Sequence, residues 1–295
     1  MKTTLALMKR EYLEHRGAFL YAPLIILVLF GLSVAGSLFT DRVDMAVSVG
    51  APTLGKMFEV GLVVMGGLWW AYLMAALFFY FADSFSADSR GNSMLFWKSM
   101  PVSDLRVLAT KALSGALLFP AIIFAFALAS ATLLYLAVTV GAVRLPTLAP
   151  PLPADALSAL ANVGALALGY LGLSLLWYAP FYAWVGMLST VFRRWSMPLA
   201  FLIPGIVGIM ENLLLYGSGG PDGGYILSFL RSRFQFGFER GEMQGALFSD
   251  TPISAPALLS SLVETIDWTQ MGIGLVVALG FIVAASEYRR RVLDK

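Results

Sequence analysis

Long apolar blocks separated by shorter polar segments run along the whole chain. Six blocks are long enough to cross a bilayer as helices, namely residues 18–39, 58–82, 105–140, 157–192, 197–216 and 268–286. Within each block the apolar residues are continuous rather than alternating, which favours helices over the strands of a membrane barrel. The pattern predicts an all-α integral membrane protein with six transmembrane helices, forming a single transmembrane domain over residues 1–295.

The first residues have a different pattern. In residues 1–17, apolar side chains recur among basic and acidic ones, as in a helix with one apolar face. Such a helix lies in the membrane interface, and the alternative is a solvated N-terminal tail. The segment differs from a signal peptide, because its apolar piece is short and is followed by Lys9, Arg10 and Glu11.

Composition agrees with a membrane location and limits the chemistry. The chain is 59% hydrophobic and 13% charged, whereas soluble domains carry about 25% charged residues. It contains no cysteine and a single histidine, His15. A disulfide framework, a thiolate metal site and a site built from several histidines are therefore excluded.

The distribution of lysine and arginine predicts the orientation in the membrane. With both termini in the cytoplasm, most of the 20 basic residues fall in cytoplasmic segments, and those on the outer side are Arg42, Lys56, Arg144, Arg231, Arg233 and Arg240. This orientation places residues 83–104 in the cytoplasm and residues 217–267 outside it. Within the outer segment, residues 255–270 are amphipathic and predict a short surface or re-entrant helix.

Motifs of nucleotide binding and hydrolysis are missing from the sequence. Residues 50–56 resemble a phosphate-binding P-loop, but Met57 follows where Ser or Thr is needed to hold Mg²⁺. There is no HExxH or GxSxG motif, so we expect no catalytic residue, no metal site and no cofactor site in this chain. Asp83 and Asp88 are expected to cap helices or contact a partner rather than act as acid and base.

One carboxylate falls inside a predicted span. Glu211 lies in the fifth apolar block, and an ionisable residue within a membrane is a candidate functional residue. The alternative is that Glu211 lies near the outer end of that span and reaches water or an outer arginine. A proton- or sodium-coupled carrier usually needs several such groups around a midplane site, and this chain offers few.

The segment between the second and third spans, residues 83–104, combines polar turn residues with large apolar side chains. Its candidate contact residues are Asp88, Arg90, Gly91, Met94, Leu95, Phe96 and Trp97. A plain loop needs only polar turn residues, so the apolar quartet, Met94 to Trp97, must be buried against lipid or a partner protein. Ser103 or Asp104, just after Pro101, is the predicted N-cap of the third span.

The stretch from Asp88 to Ser103, DSRGNSMLFWKSMPVS, resembles the cytoplasmic loop of type 2 ABC exporter permeases. That family shows an acidic residue, a basic residue, glycine, serine or threonine, an apolar cluster, and then Pro-Val-Ser leading into the third span. This chain departs in having Asp88 where glutamate is usual, and Asn92 and Ser93 after the glycine. The predicted topology resembles that of the family along the whole chain, from the amphipathic start to the basic tail.

The resemblance implies a permease subunit without a nucleotide site of its own. In that family the loop forms a coupling helix that docks on a separate cytoplasmic ATPase, present in two copies, which binds ATP and magnesium. The apolar quartet would be the buried anchor, and Asp88 and Arg90 its polar rim. Glu11, Glu14 and Arg16 of the N-terminal helix are expected to touch the same partner.

The resemblance also implies a setting and further partners. We expect a bacterial cytoplasmic membrane, a homodimer or a heterodimer with a similar permease, contact with membrane lipid, and export of a substrate whose identity stays open. No nucleic-acid partner is expected, because Arg231 and Arg233 among phenylalanines favour lipid or lid packing outside the membrane. The alternatives are a secondary carrier or another polytopic membrane protein that works without an ATPase; an intramembrane enzyme lacks its catalytic groups.

Overall fold

The computed structural model describes residues 2–37, 53–90, 103–144, 149–215, 224–249 and 251–293. Within these residues the regular structure is helical, with no strand. In chain order the helices are α1 (Lys2–Arg16), α2 (Ala22–Ser37), α3 (Leu54–Arg90), α4 (Asp104–Leu113), α5 (Phe119–Arg144), α6 (Pro153–Phe192), α7 (Ser196–Leu214), α8 (Gly224–Phe234), α9 (Arg240–Phe248), α10 (Ala255–Thr265) and α11 (Trp268–Leu293). Short π-helical turns, Gly17–Tyr21 and Ser114–Leu118, join α1 to α2 and α4 to α5.

Five helical stretches are long and apolar enough to cross a membrane. They are Thr4–Gly36, Leu54–Ala87, Asp104–Ala142, Pro153–Leu214 and Trp268–Arg291. Their length and composition are those of a multi-pass helical membrane protein. The fourth stretch, of 62 residues, contains both the fourth and the fifth predicted spans, so the count of six crossings stays a prediction.

α6 and α7 meet at a sharp turn and do not form one rod. Arg193 has a φ of 52°, a left-handed conformation that a residue with a side chain rarely adopts, and Arg193–Trp195 form a 3₁₀ turn before α7. Beyond the turn the indole nitrogen of Trp184 donates to the carbonyl oxygen of Ala200 over 3.3 Å. Leu188 and Ala200 share a buried cluster. The fourth stretch is therefore a hairpin of two packed helices.

Each π-helical turn ends two residues before a proline, Pro23 or Pro120. Proline has no N–H to donate, and its ring crowds the carbonyl group four residues earlier. The chain accommodates Pro120 by one wider turn, in which the N–H of Phe119 donates to the carbonyl oxygen of Ser114. Phe19 in the first turn stacks on Phe119 with ring centroids 3.8 Å apart, so the two turns pack together.

α3 packs against several other helices of the bundle. Its buried residues recur every three or four positions and form one face, which carries Trp69, Leu73, Leu77, Tyr80, Phe81 and Phe85. This face packs against Phe119 and Ile123 of α5, Tyr182 of α6 and Ala285 of α11. Because α3 ends at Arg90, the same packing fixes the position from which the 91–102 segment departs.

Helices α8, α9 and α10, with their connections, form a cap over one end of the bundle, the end at which α3 begins. Between α8 and α9, Phe236 and Phe238 stack on Tyr170 of α6. α10 coincides with the amphipathic stretch identified in the sequence, and its apolar face is buried against α6. We call residues 224–266 the cap.

Much of the remaining surface is apolar. Large exposed side chains on α2 and α7 include Ile25, Leu29, Leu32, Phe201, Ile209 and Leu213. A bilayer accepts such a surface, whereas water would penalise it. α1 is helical, as its amphipathic pattern predicts, and exposes Leu5 and Leu13; its position at the membrane interface stays a prediction.

Candidate functional site

The predicted loop, residues 83–104, is shorter in the structure, because residues 83–90 continue α3 and Asp104 begins α4. The backbone of Asp88 and Arg90 belongs to α3, while their side chains lie outside the description. Outside the described residues altogether lie Gly91, Met94, Leu95, Phe96 and Trp97. α4 begins where the sequence predicts, because Ser103 Oγ accepts the N–H of Arg106 at 3.4 Å and caps the helix.

Three carbonyl groups near the end of α3 each accept a hydrogen bond from a different helix. Lys111 Nζ of α4 donates to Ser84 over 2.8 Å. Ser196 Oγ, in the first turn of α7, donates to Ala82 over 3.2 Å, and Arg289 Nη1 of α11 donates to Phe85 over 3.4 Å. A carbonyl oxygen in a helix has a second lone pair, so it can accept such a bond and still keep its hydrogen bond within the helix. We call Lys111, Ser196 and Arg289 the α3 clamp.

Arg289 connects the two flanks of the 91–102 segment. Besides its bond to Phe85 before the segment, its Nε lies 3.6 Å from Asp104 Oδ1 at the first position of α4. The side chain is 4% exposed, and an arginine fork with separated donors suits two simultaneous partners. The ends of α3 and α4 are therefore held together by one residue of the last helix.

A buried ion pair attaches α1 to the same place. Lys111 Nζ lies 3.0 Å from Glu11 Oε1, and their side chains are 1% and 4% exposed. The hydroxyl of Tyr80 lies 3.1 Å from the other oxygen of Glu11. This corrects the expectation that Glu11 touches a partner protein, because its carboxylate is enclosed by its own chain. Glu14 is more exposed and pairs with Arg10 at 2.6 Å.

Glu11, Glu14 and His15 bring one potential metal ligand each within 4.8 Å of one another. Both oxygens of Glu11 already face Lys111 and Tyr80. A divalent cation here would lie beside the ammonium group of Lys111, and the two would repel. The arrangement therefore favours the ion pairs over a metal ion.

Glu211 lies at the far end of α7 and joins it to the cap. Its two carboxylate oxygens accept the backbone N–H groups of Tyr225 at 3.0 Å and Ile226 at 2.8 Å. These N–H groups belong to the first turn of α8, where the helix itself offers them no acceptor. The positive end of the helix dipole lies at the same place and also stabilises a carboxylate. Glu211 is thus used in capping a helix near the end of its span.

Arg233, at the other end of α8, is fully buried. Its guanidinium donates to the carbonyl oxygens of Trp177 in α6 and Gln270 in α11, and lies over the Trp177 ring, 4.4 Å from the centroid. Burial lowers the pKa of this guanidinium, and the carboxylate of Asp267 acts in the opposite direction. The residue fastens the cap to two helices of the bundle.

Lys56, the last residue of the P-loop-like stretch, has a structural role. Its ammonium group donates to Glu59, 3.3 Å away, and to the carbonyl oxygens of Ala246 and Thr251, both at 2.8 Å. Three bonds use all three protons of an ammonium group. Glu59 in turn accepts the N–H of Ile253 at 3.2 Å. The pair fastens α3 to α9 and the stretch before α10.

Under the cap lies an apolar cavity of about 260 Å³ between α3, α5 and α6. Gly66, Gly67 and Trp70 of α3 line it, with Tyr170 of α6, and Phe238 of the cap lies over them. The cavity is partly open to the surface of the bundle. The sequence gives no sign of it, because it forms where three helices distant in the chain meet.

Comparisons with protein-family models, with curated proteins and with solved structures give no significant match for this chain. The family resemblance therefore stands on the residues of the loop and on the topology. Sequence reasoning missed the roles of Lys111 and Arg289, because it weighed them only as charges for orientation, and it weighed Arg233 only as part of a run of arginines and phenylalanines. The available signal was the place of Lys111 inside an apolar block and of Arg289 three residues after one, whereas Arg233 lies far from any block.

Proposed function

We propose that this chain is the membrane-spanning permease subunit of an ABC transporter, an exporter driven by a separate cytoplasmic ATPase. The observation that carries the proposal is Arg289, which holds the two flanks of the 91–102 segment together. A loop that is moved by a partner protein must be firmly attached to the helices, because the movement of a loosely held loop would not be transmitted to them. The resemblance of the loop to that of type 2 ABC exporter permeases is the second support.

In the proposed mechanism the ATPase docks on the apolar quartet, with Asp88, Arg90 and Gly91 at its edge. Two ATPase subunits bind ATP and magnesium, close on each other, and press on the loops of two permease subunits. The α3 clamp passes the movement to α4, α7 and α11, and the pair of Lys111 with Glu11 passes it to α1. The permease positions the substrate path and takes no part in the chemistry.

The proposal places the chain across a bacterial cytoplasmic membrane six times, with both termini in the cytoplasm and the cap outside. The hairpin at Arg193 supports separate crossings by α6 and α7. The 19 residues of α7 extend about 28 Å as a helix, close to the ~30 Å of the hydrocarbon core. A second copy of the chain, or a similar permease, covers part of the apolar surface.

ATP turnover by the partner tests the proposal. The candidate partner is a soluble protein with a complete P-loop that is encoded beside this chain or co-purifies with it. Replacing both anchors, Phe96→Ala and Trp97→Ala, is expected to reduce permease-dependent ATP hydrolysis in nanodiscs about tenfold or more, because buried aromatic anchors dominate such contacts. Trp195→Ala is the matched control, since Trp195 is 64% exposed and lies outside the loop.

A clamp variant separates docking from transmission. Arg289→Gln is expected to leave the ATPase bound while reducing the stimulation, because the loop remains but its flanks are no longer held together. Unchanged co-purification and unchanged turnover in the Phe96 and Trp97 double variant would refute docking at the quartet. Transport in vesicles without any ATP-hydrolysing partner would instead support the secondary carrier.

A further inference from the structure

We propose that the cavity between α3, α5 and α6 binds one acyl chain of a membrane lipid. The inference does not rest on the proposed function, since it concerns a binding site inside one subunit and needs no ATPase. It rests on the chemistry of the cavity wall, on its volume, and on what lies around it.

The wall offers almost nothing to a polar ligand. The indole N–H of Trp69 already donates to Ser130 Oγ, and that of Trp70 to Ser174 Oγ, both over 3.0 Å. The phenol of Tyr170 is the remaining polar group of the lining side chains. Water needs two to four polar partners to enter a cavity, so one phenol would not hold it there. The cavity therefore favours an apolar occupant.

The volume of the cavity suits a small apolar ligand. A cavity of about 260 Å³ is just below the range of about 300–1,000 Å³ that holds drug-sized ligands. On α3, a Cβ atom built at Gly66 or Gly67 would meet nothing within 4 Å. Both glycines line the cavity, so this part of its wall is bare backbone that leaves room for an apolar chain.

Membrane lipid surrounds the helices that form the cavity. The three helices that form the cavity belong to stretches long and apolar enough to cross a membrane, so the solvent beside them is lipid. At one end Phe238 and Met243 of the cap lie over the cavity, and Phe238 stacks on Tyr170 with centroids 5.4 Å apart. Lys56 and Arg233 hold the cap in this place. The cap thus covers one end of this partly open cavity, and the rest is available to the apolar part of a lipid.

Photo-crosslinking with a lipid tests the site. The probe is a phosphatidylcholine with a diazirine in one acyl chain, present at low mole fraction in nanodiscs that contain the full chain. Mass spectrometry is expected to find adducts on residues 163–171 of α6. Gly66→Leu should reduce these adducts about tenfold or more, because each methylene excluded from the cavity removes its share of binding energy. Adducts on the exposed α7 residues Phe201 and Leu213 should not change.

The chain provides a matched control. Gly280→Leu makes the same change in α11, at a position that does not line this cavity and where a Cβ atom also meets nothing within 4 Å. The labelling of this variant should equal that of the unmodified protein. If Gly66→Leu does not fold, Ala167→Leu fills the same cavity from α6. The proposal would be overturned if the unmodified protein gave no adducts on residues 163–171, or if the filled variants gave these adducts at full yield.

Discussion

Two buried charges, Lys111 and Glu11, hold α1 against α4. Neither side chain reaches water, and transferring either one alone into such a site would cost several kcal/mol. Their contact at 3.0 Å, the hydroxyl of Tyr80 and the carbonyl oxygen of Ser84 together offset that cost. The attachment of α1 therefore depends on both charges being present.

Removal of one charge is predicted to be more harmful than removal of both. Lys111→Met leaves Glu11 buried without a counter-ion and should lower the free energy of unfolding by about 3–5 kcal/mol, measured by thermal unfolding of the purified protein in detergent. Adding Glu11→Leu to Lys111→Met should recover most of the loss, because two apolar side chains then face each other.

An exposed ion pair on the same helix is the control. Glu14→Gln breaks the Arg10–Glu14 pair, whose side chains are 30% and 36% exposed, and should change the stability by less than about 1 kcal/mol. Equal stability of Lys111→Met and Glu14→Gln would show that the buried pair does not hold α1 in place.

Residues such as Glu11 were hard to assign from the sequence for a physical reason. An amphipathic pattern shows that a helix has a polar face, but the rotation of that helix is set by its neighbours. Here the neighbour of Glu11 is Lys111, a hundred positions away, and the surface that seemed free for a partner is already occupied. Glu211 was recognised as unusual from its apolar surroundings alone, whereas its capping of α8 depends on how α7 and α8 pack, which an apolar pattern does not show.

At the scale of elements, Arg233 determines how α8 meets the bundle. Its guanidinium reaches the Gln270 carbonyl only because Gly274, one turn further along α11, has no side chain. A Cβ atom at Gly274 would lie 2.4 Å from Nη2 of Arg233. A side chain at this position would therefore displace the guanidinium from its bond to the Gln270 carbonyl.

Two alanine substitutions in α11 are predicted to have opposite effects. Gly274→Ala should destabilise the protein by about 1–3 kcal/mol, because the buried guanidinium loses a carbonyl partner. Gly272→Ala should be neutral or stabilising by up to about 1 kcal/mol, since alanine favours a helix and nothing lies within 4 Å of its Cβ. Thermal unfolding of both proteins checks this, and a Gly274→Ala protein as stable as Gly272→Ala would contradict the role of Arg233.

The long helices could be predicted from the sequence, and their joints could not. The apolar blocks predict α3, α5, α6 and α11, and the end of α6 at Phe192 agrees with the predicted boundary. The break between α6 and α7 falls between the fourth and fifth predicted blocks. The positive φ of Arg193 and the π-helical turns near Pro23 and Pro120 were not foreseen, because an apolar block does not show the local backbone geometry. Contacts with other helices decide how a proline or a turn is accommodated.

At the scale of the whole molecule, α7 determines the number of crossings. Its first residue, Ser196, bonds to Ala82 beside the 91–102 segment, and Glu211 near its other end caps α8 in the cap. α7 therefore runs the length of the bundle, from the loop end to the cap end. With Arg193 and Arg194 in the turn at its start, the distribution of charge favours a cytoplasmic position for that turn.

Labelling of single cysteines is predicted to place the two ends of α7 on opposite sides of the membrane. The natural chain has no cysteine, so Arg194→Cys and Ser260→Cys each introduce one thiol at an exposed position. In spheroplasts, a membrane-impermeant maleimide should label Ser260→Cys directly and Arg194→Cys only after permeabilisation. The unmodified chain should take up no label. Labelling of both positions from one side would show that α7 does not cross the membrane. The reverse pattern would place the 91–102 segment on the outer side, where a cytoplasmic ATPase cannot reach it.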